Sequence, residues 1–125
     1  MTQRANSPLR TVVADDSAAF RAALRRMLAT LPHIQVIAEA ADGAEALQRV
    51  TESAPDLLLL DLRMPKFNGL EVLQRLYAMR ARVQVVVLSA EMENFELSLG
   101  DGWTVALVAK GDIDRLIQTL RALAP

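Results

Sequence analysis

The chain has 125 residues, about half of them apolar, and a formal net charge of −1. That length suits one domain with a single core, and so even a charge balance excludes nucleic-acid binding driven by charge alone. With no cysteine there is neither a disulfide framework nor a thiolate metal site, and with no signal-peptide run or bilayer-length stretch the expectation is a cytoplasmic protein without membrane contact.

Residues 1–8 read as a flexible N-terminal segment and 9–123 as the globular domain, with no output domain expected in the chain. Residues 9–14 form a short β-branched run, a first strand that ends at Asp15-Asp16-Ser17. Ser17 or Asp16 can cap the next helix, expected over 18–31. Its core face would carry Phe20, Leu24, Met27, Leu28 and Leu31, leaving Arg21, Arg25 and Arg26 to solvent. Pro32 stops it, and His33, the sole histidine, is expected to be a solvated loop residue.

Residues 34–38 form a second strand, and Asp42-Gly43 turns into a helix carrying Ala46, Leu47 and Val50. Four leucines then run from Leu57 to Leu60 between Pro55 and Pro65, the pattern of a strand buried on both faces, with Asp61 at its end. A third helix follows Asn68-Gly69, with Leu70, Val72, Leu73, Leu76 and Met79 on its apolar side. Residues 83–88 make a fourth strand ending at Ser89-Ala90. A short amphipathic piece around Phe95, Leu97 and Leu99 leads to a Gly100-Asp101-Gly102 break, and a fifth strand over 104–109 ends at Lys110-Gly111. The last helix, from Asp112, is expected to bury Ile113, Leu116, Ile117, Leu120 and Leu123.

Strands alternating with helices predict an α/β fold, a doubly wound five-stranded parallel sheet in a three-layer α/β/α sandwich with right-handed crossovers. All strand ends in such a sheet point one way, and ligands bind beyond them. Asp15, Asp16, Asp61, Ser89 and Lys110 would therefore meet at one rim, although Asp61 taken alone reads equally well as a loop cap. Two carboxylates about 4 Å apart repel by roughly 4 kcal/mol at an effective dielectric near 20, so the acids need cations. Lys110 supplies one, and hard oxygen ligands with residual negative charge suit Mg²⁺. Carboxylates, Mg²⁺, lysine and hydroxyl together form a phosphoryl-transfer site with Asp61 as the nucleophile.

Asp15-Asp16, Asp61 followed by Met64-Pro65 and Gly69, Ser89-Ala90, and Lys110 together resemble the receiver domain of two-component response regulators, the CheY-like family. The resemblance runs from Leu9 to Leu123 and implies the flavodoxin-like strand order 2-1-3-4-5. It implies a signalling phosphoprotein rather than an enzyme. Asp61 would be the acceptor of a phosphoryl group from a histidine kinase or phosphotransfer protein, with slow hydrolysis of the acyl phosphate. Asp16 and Asp61 would bind Mg²⁺ directly, Asp15 largely through water, and the Arg63 backbone carbonyl would complete the protein ligands. Ser89 would hydrogen-bond the phosphoryl group, Lys110 would pair with it, and Ala90 leaves room beside it. No other cofactor is implied; the output domain or protein partner stays unidentified, and a homodimer is compatible with the resemblance.

The sequence departs from the family pattern at the switch position three residues before the lysine, where Leu107 replaces an aromatic residue, and Gly111 stands where proline often follows the lysine. Trp103 lies out of register to substitute. These departures, with the short fourth helical piece, leave phosphate acceptance intact and predict an atypical output face without the aromatic switch. Arg63 and Glu91 are expected to border the site mouth and tune the acyl-phosphate lifetime by pairing across it, against the alternative of two solvated side chains.

Three other functions compete. A haloacid-dehalogenase-type phosphatase needs an acid two residues after its nucleophile, where Arg63 stands. A flavodoxin-like nucleotide binder would not place Asp15-Asp16 against a phosphate without a metal. A degenerate receiver could act as a docking or dimerisation module without a phosphorylation-driven switch.

Overall fold

The computed structural model describes residues 7–90 and 105–123. Within them the order is β1 (Leu9–Ala14), α1 (Ala18–Leu28), β2 (Ile34–Ala40), α2 (Gly43–Ser53), β3 (Leu57–Asp61), α3 (Gly69–Ala78), β4 (Gln84–Ser89), β5 (Ala106–Ala109) and α4 (Ile113–Ala122). The strands form one sheet of order β2-β1-β3-β4-β5, and every neighbouring pair is parallel. This is the doubly wound, flavodoxin-like α/β arrangement expected from the sequence.

The leucine strand lies at its centre and supplies both cores. Successive side chains of a strand face opposite ways, so Leu58 and Leu60 pack with Val72, Leu73 and Leu76 of α3, while Leu57 and Leu59 pack with Leu24 and Leu28 of α1 and Leu116 and Leu120 of α4. A segment apolar on both faces cannot lie at a sheet surface, which is why β3 is central. Each helix begins at a side-chain cap: Ser17 accepts from the Phe20 amide, Asp42 from Glu45 and Asp112 from Arg115. Asn68 and Glu71 form a reciprocal capping box at α3.

Several boundaries and faces differ from expectation. Helix α1 ends at Leu28, although Leu31 is still buried; Pro32 disfavours helical geometry at the residue before it, and the chain leaves through a turn. Strand β2 runs on to Ala40 because the Asp15 amide donates to the Ala40 carbonyl. Leu70, Met79 and Ile113 are exposed rather than part of the core. All three lie at helix ends, outside the residues that meet the sheet, and periodicity identifies a face without showing where its contact stops. His33 is half-buried rather than solvated, with Nε2 3.0 Å from the Leu120 carbonyl oxygen, and so ties the loop before β2 to α4. The piece around Phe95, Leu97 and Leu99, the Gly100-Asp101-Gly102 break, Trp103 and Thr104 lie outside the described residues, as do residues 1–6. Among the described residues no helix is long and apolar enough to cross a membrane.

Candidate functional site

The register brings the acidic residues together. Ala14 pairs with Leu60 across β1 and β3, so Asp15, one residue beyond β1, comes level with Asp61 at the end of β3. Carboxylate oxygens of Asp15, Asp16 and Asp61 all lie within 4.8 Å of one another. On the other side Ser89 ends β4 opposite Ala109 of β5, and the Lys110 amide donates to the Ser89 carbonyl at 2.8 Å.

Lys110 starts two strands away from β3, roughly 10 Å at normal strand spacing, and its long arm crosses the end of β4. Its Nζ lies 2.6 Å from Asp15 Oδ2 and 3.3 Å from Asp61 Oδ2. It also stands 4.4 Å from the centroid of the Phe20 ring, where the negative ring face favours a cation. Asp15, Asp61 and Ser89 are buried, whereas Asp16 is exposed.

The local backbone holds the acids in place. Asp15 Oδ1 accepts from the Ser17 amide at 2.8 Å, and Asp61 Oδ1 accepts from the Arg63 amide at 3.2 Å. Gly69 is buried against the main chain at the end of β3: a Cβ there would fall 2.5 Å from the Asp61 carbonyl oxygen and 2.7 Å from Leu62 Cα. The loop between β3 and α3 also rests on the start of α2, since a Cβ on Gly43 would fall 2.0 Å from the Phe67 carbonyl oxygen.

Burial pushes the Asp61 carboxyl above the usual carboxylate range, with the neighbouring Asp15 charge adding to it and the Arg63 amide and Lys110 only partly opposing. Burial would lower the Lys110 pKa, but the Asp15 and Asp61 carboxylates more than reverse this and hold it above the usual lysine value. Three carboxylates and one ammonium leave two negative charges when all are ionised. Asp15 Oδ2 is buried, and its close partner is the Lys110 ammonium at 2.6 Å. Three hard oxygen donors within 4.8 Å of one another, with negative charge left over after Lys110, fit a divalent cation such as Mg²⁺.

The remaining expected site residues are placed as follows. Arg63 is exposed and contributes its amide to Asp61. Ala90 is exposed just beyond Ser89. Leu107 is half-buried on β5, level with Val87, and packs against the core cluster that holds Leu58 and Leu60. Glu91 lies outside the described residues.

One neighbour of the site was not expected. Arg21, assigned to solvent by the helical pattern, keeps only 17% of its side chain exposed and pairs with Glu39 at 3.0 Å. Its Nη1 donates to the Asp15 carbonyl at 2.5 Å. The available signal was Glu39 itself, a charge between two alanines inside a strand.

A family model described as the response regulator receiver domain matches residues 11–121. Over 93 residues, 74% of this chain and 27% of the relative, the sequence is 44% identical to protein-glutamate methylesterase/protein-glutamine glutaminase 5 of Myxococcus xanthus. It is 32% identical to the transcriptional regulatory protein DegU of Brevibacillus brevis, covering 99% of this chain and 54% of that protein. The chain thus spans between about a quarter and about half the length of these two relatives. Among solved structures, a chain in the crystal structure of the P1 domain of CheA3 in complex with CheY6 from R. sphaeroides is similar at a TM-score of 0.67 and 31% identity, covering 93% of this chain and 98% of that one.

Proposed function

The chain belongs to the response regulator receiver domain family, a signalling module of two-component systems, and on that premise we propose that it accepts a phosphoryl group on Asp61. The observation that carries this proposal is the meeting of Asp61, Asp15 and Lys110 across the sheet, with both carboxylates within 3.3 Å of one ammonium. In the proposed step an Asp61 carboxylate oxygen attacks the phosphorus of a phosphohistidine in line. The phosphorus–nitrogen bond breaks, the imidazole leaves, and an acyl phosphate forms. Lys110 follows the phosphoryl oxygens as negative charge reaches them, and Ser89 offers its hydroxyl from the end of β4.

Asp15, Asp16 and Asp61, with the Arg63 carbonyl, would hold Mg²⁺, which when bound supplies charge neutralisation at the phosphoryl oxygens. The Arg63 amide keeps one Asp61 oxygen engaged, leaving the other, toward Lys110, as the attacking atom. Arg63 and Glu91 would flank the opening and slow the approach of hydrolytic water, and Ala90 would leave space beside the phosphoryl group. Arg63→Ala and Glu91→Ala should each shorten the lifetime of the acyl phosphate.

The donor would be a histidine kinase or a phosphotransfer protein. A similar solved chain comes from a complex between a P1 domain and CheY6, which supports that class of partner. The outputs named for the relatives, a methylesterase and a transcriptional regulator, differ from each other and do not single out an output for this chain. The deciding experiment is incubation with Mg²⁺ and acetyl phosphate followed by intact-mass measurement of wild type and Asp61→Asn. One added phosphoryl group on the wild type alone is expected. No addition to the wild type, or equal addition to the variant, would overturn the proposal in favour of a docking module.

A further inference from the structure

Asp16 is the one exposed member of the acidic trio, and among the described residues its carboxylate takes part in no hydrogen bond or ion pair. Its position therefore depends on the main chain that carries it. That main chain is gripped at the preceding peptide: the Asp15 amide donates to the Ala40 carbonyl at 3.0 Å, and the Asp15 carbonyl accepts from Arg21 Nη1 at 2.5 Å. Because the Asp15 carbonyl and the Asp16 amide share one plane, fixing the first fixes the direction in which Asp16 leaves it.

Arg21 is itself held. Its Nε lies 3.0 Å from Glu39 Oε1, and the second Glu39 oxygen meets Arg25 Nη1 at 2.5 Å. The Glu39 main chain is fixed in turn, its carbonyl accepting from Arg49 Nε at 3.2 Å. A mostly buried guanidinium thus joins the sheet edge, through Glu39, to the loop that presents Asp16. Arg25 binds the same glutamate and no part of that loop among the described residues.

We infer that Arg21 is a positioning residue for the metal-binding loop, aiming the Asp16 carboxylate through the Asp15 carbonyl. The inference rests on the Mg²⁺ reading of the acidic trio. It makes a prediction opposite in sign to that of charge alone. Removing a positive charge near an acidic pocket should leave cation affinity unchanged or tighten it, whereas loss of the grip on the loop should weaken it.

The test is calorimetric titration of Mg²⁺ into the whole chain, with thermal unfolding recorded for each variant. Arg21→Met should bind Mg²⁺ about tenfold more weakly, the scale seen when groups behind a ligand are removed. Arg25→Met, the same change of charge on the same glutamate, should bind as tightly as wild type or tighter. Arg21→Lys, which keeps a cationic donor able to reach the Asp15 carbonyl, should recover part of the loss. A lower unfolding temperature for Arg21→Met with affinity within about twofold of wild type would overturn the inference, because a purely structural role leaves the site alone. Equal weakening in Arg21→Met and Arg25→Met would overturn it as well. If Arg21→Met fails to fold, Glu39→Gln, which removes the charge that anchors Arg21, should weaken Mg²⁺ binding, and unchanged affinity there overturns the inference. A wild type that takes up no Mg²⁺ overturns the metal reading and the inference with it; a binding wild type beside an unaffected Arg21→Met overturns the inference alone.

Discussion

Lys110 leans toward Asp15 rather than Asp61, its ammonium lying 2.6 Å from the first carboxylate and 3.3 Å from the second. The looser contact is the one to Asp61, so the lysine already stabilises the pocket without fully engaging the oxygen proposed to react. Lys110→Met would leave two buried carboxylates without this cation. A loss of about 2–3 kcal/mol is expected in metal-free buffer, below the roughly 3–5 kcal/mol of breaking a fully buried pair because Lys110 is partly exposed. Urea unfolding with and without Mg²⁺ checks this. The ion should stabilise the variant more than the wild type, since it binds the folded site only.

Asp61 makes metal-free stability depend on pH in a direction opposite to that of an ordinary paired aspartate. Its folded-state pKa is raised above the ordinary 3.8 by burial first and by Asp15 as well. The folded protein therefore holds this proton more tightly than the unfolded chain does. Its contribution is present below pH 3.8, falls as pH rises toward the folded pKa, and is gone above it. Asp61→Asn should accordingly be more stable than wild type at neutral pH in chelator, with the gap closing in acid. Excess Mg²⁺ should reverse the order. A variant that is less stable than wild type at neutral pH without metal would contradict this account.

The sequence made the site legible because strand order and strand ends are tied to local patterns. A leucine run bounded by prolines had to be a buried strand, and in a parallel sheet the residues just past each strand necessarily share one rim. Asp15, Asp61 and Lys110 meet as that logic requires. Arg21 was misplaced because helical periodicity sorts residues by polarity and cannot see Glu39 waiting on a neighbouring strand. The exposure of Leu70, Met79 and Ile113 was hidden for a related reason: how far along a helix the sheet contact extends is decided by the neighbours. His33 likewise gained its partner, the Leu120 carbonyl, from the far end of the chain.

Gly69, packed on the Asp61 main chain, and Gly111, next to Lys110, should differ in their tolerance of alanine. At Gly69 the new methyl would meet the Asp61 carbonyl oxygen at 2.5 Å and Leu62 Cα at 2.7 Å. Both are backbone atoms that cannot rotate away, so Gly69→Ala should cost about 2–3 kcal/mol, in the range of overpacked cores. It should also slow phosphoryl uptake by displacing Asp61. At Gly111 a methyl would meet nothing within 4 Å, and Gly111→Ala should stay within about 0.5 kcal/mol of wild type, as open surface positions do. Denaturation midpoints of the two variants, measured side by side, check both. Equal effects would mean that the contact at Gly69 relaxes.

Leu107 tests whether this chain switches as its family does. The position is half-buried, and the side chain packs against the cluster beneath the site, level with Val87. An aromatic residue there can swing between solvent and interior, trading its polar edge for its apolar face. A leucine has no polar edge to satisfy outside, and moving it outward would expose apolar surface at about 25 cal/mol per Å² with nothing gained. The side chain should therefore keep one position when a phosphomimic such as beryllium fluoride occupies the site, and a crystal structure of that complex would show it. Leu107→Ala should lower stability by about 1–2 kcal/mol, less than for a fully buried leucine, yet leave phosphoryl uptake on Asp61 essentially unchanged. Two buried positions of Leu107 in the bound and free states, or loss of uptake in the alanine variant, would show that the leucine has kept the coupling for which the family uses an aromatic ring.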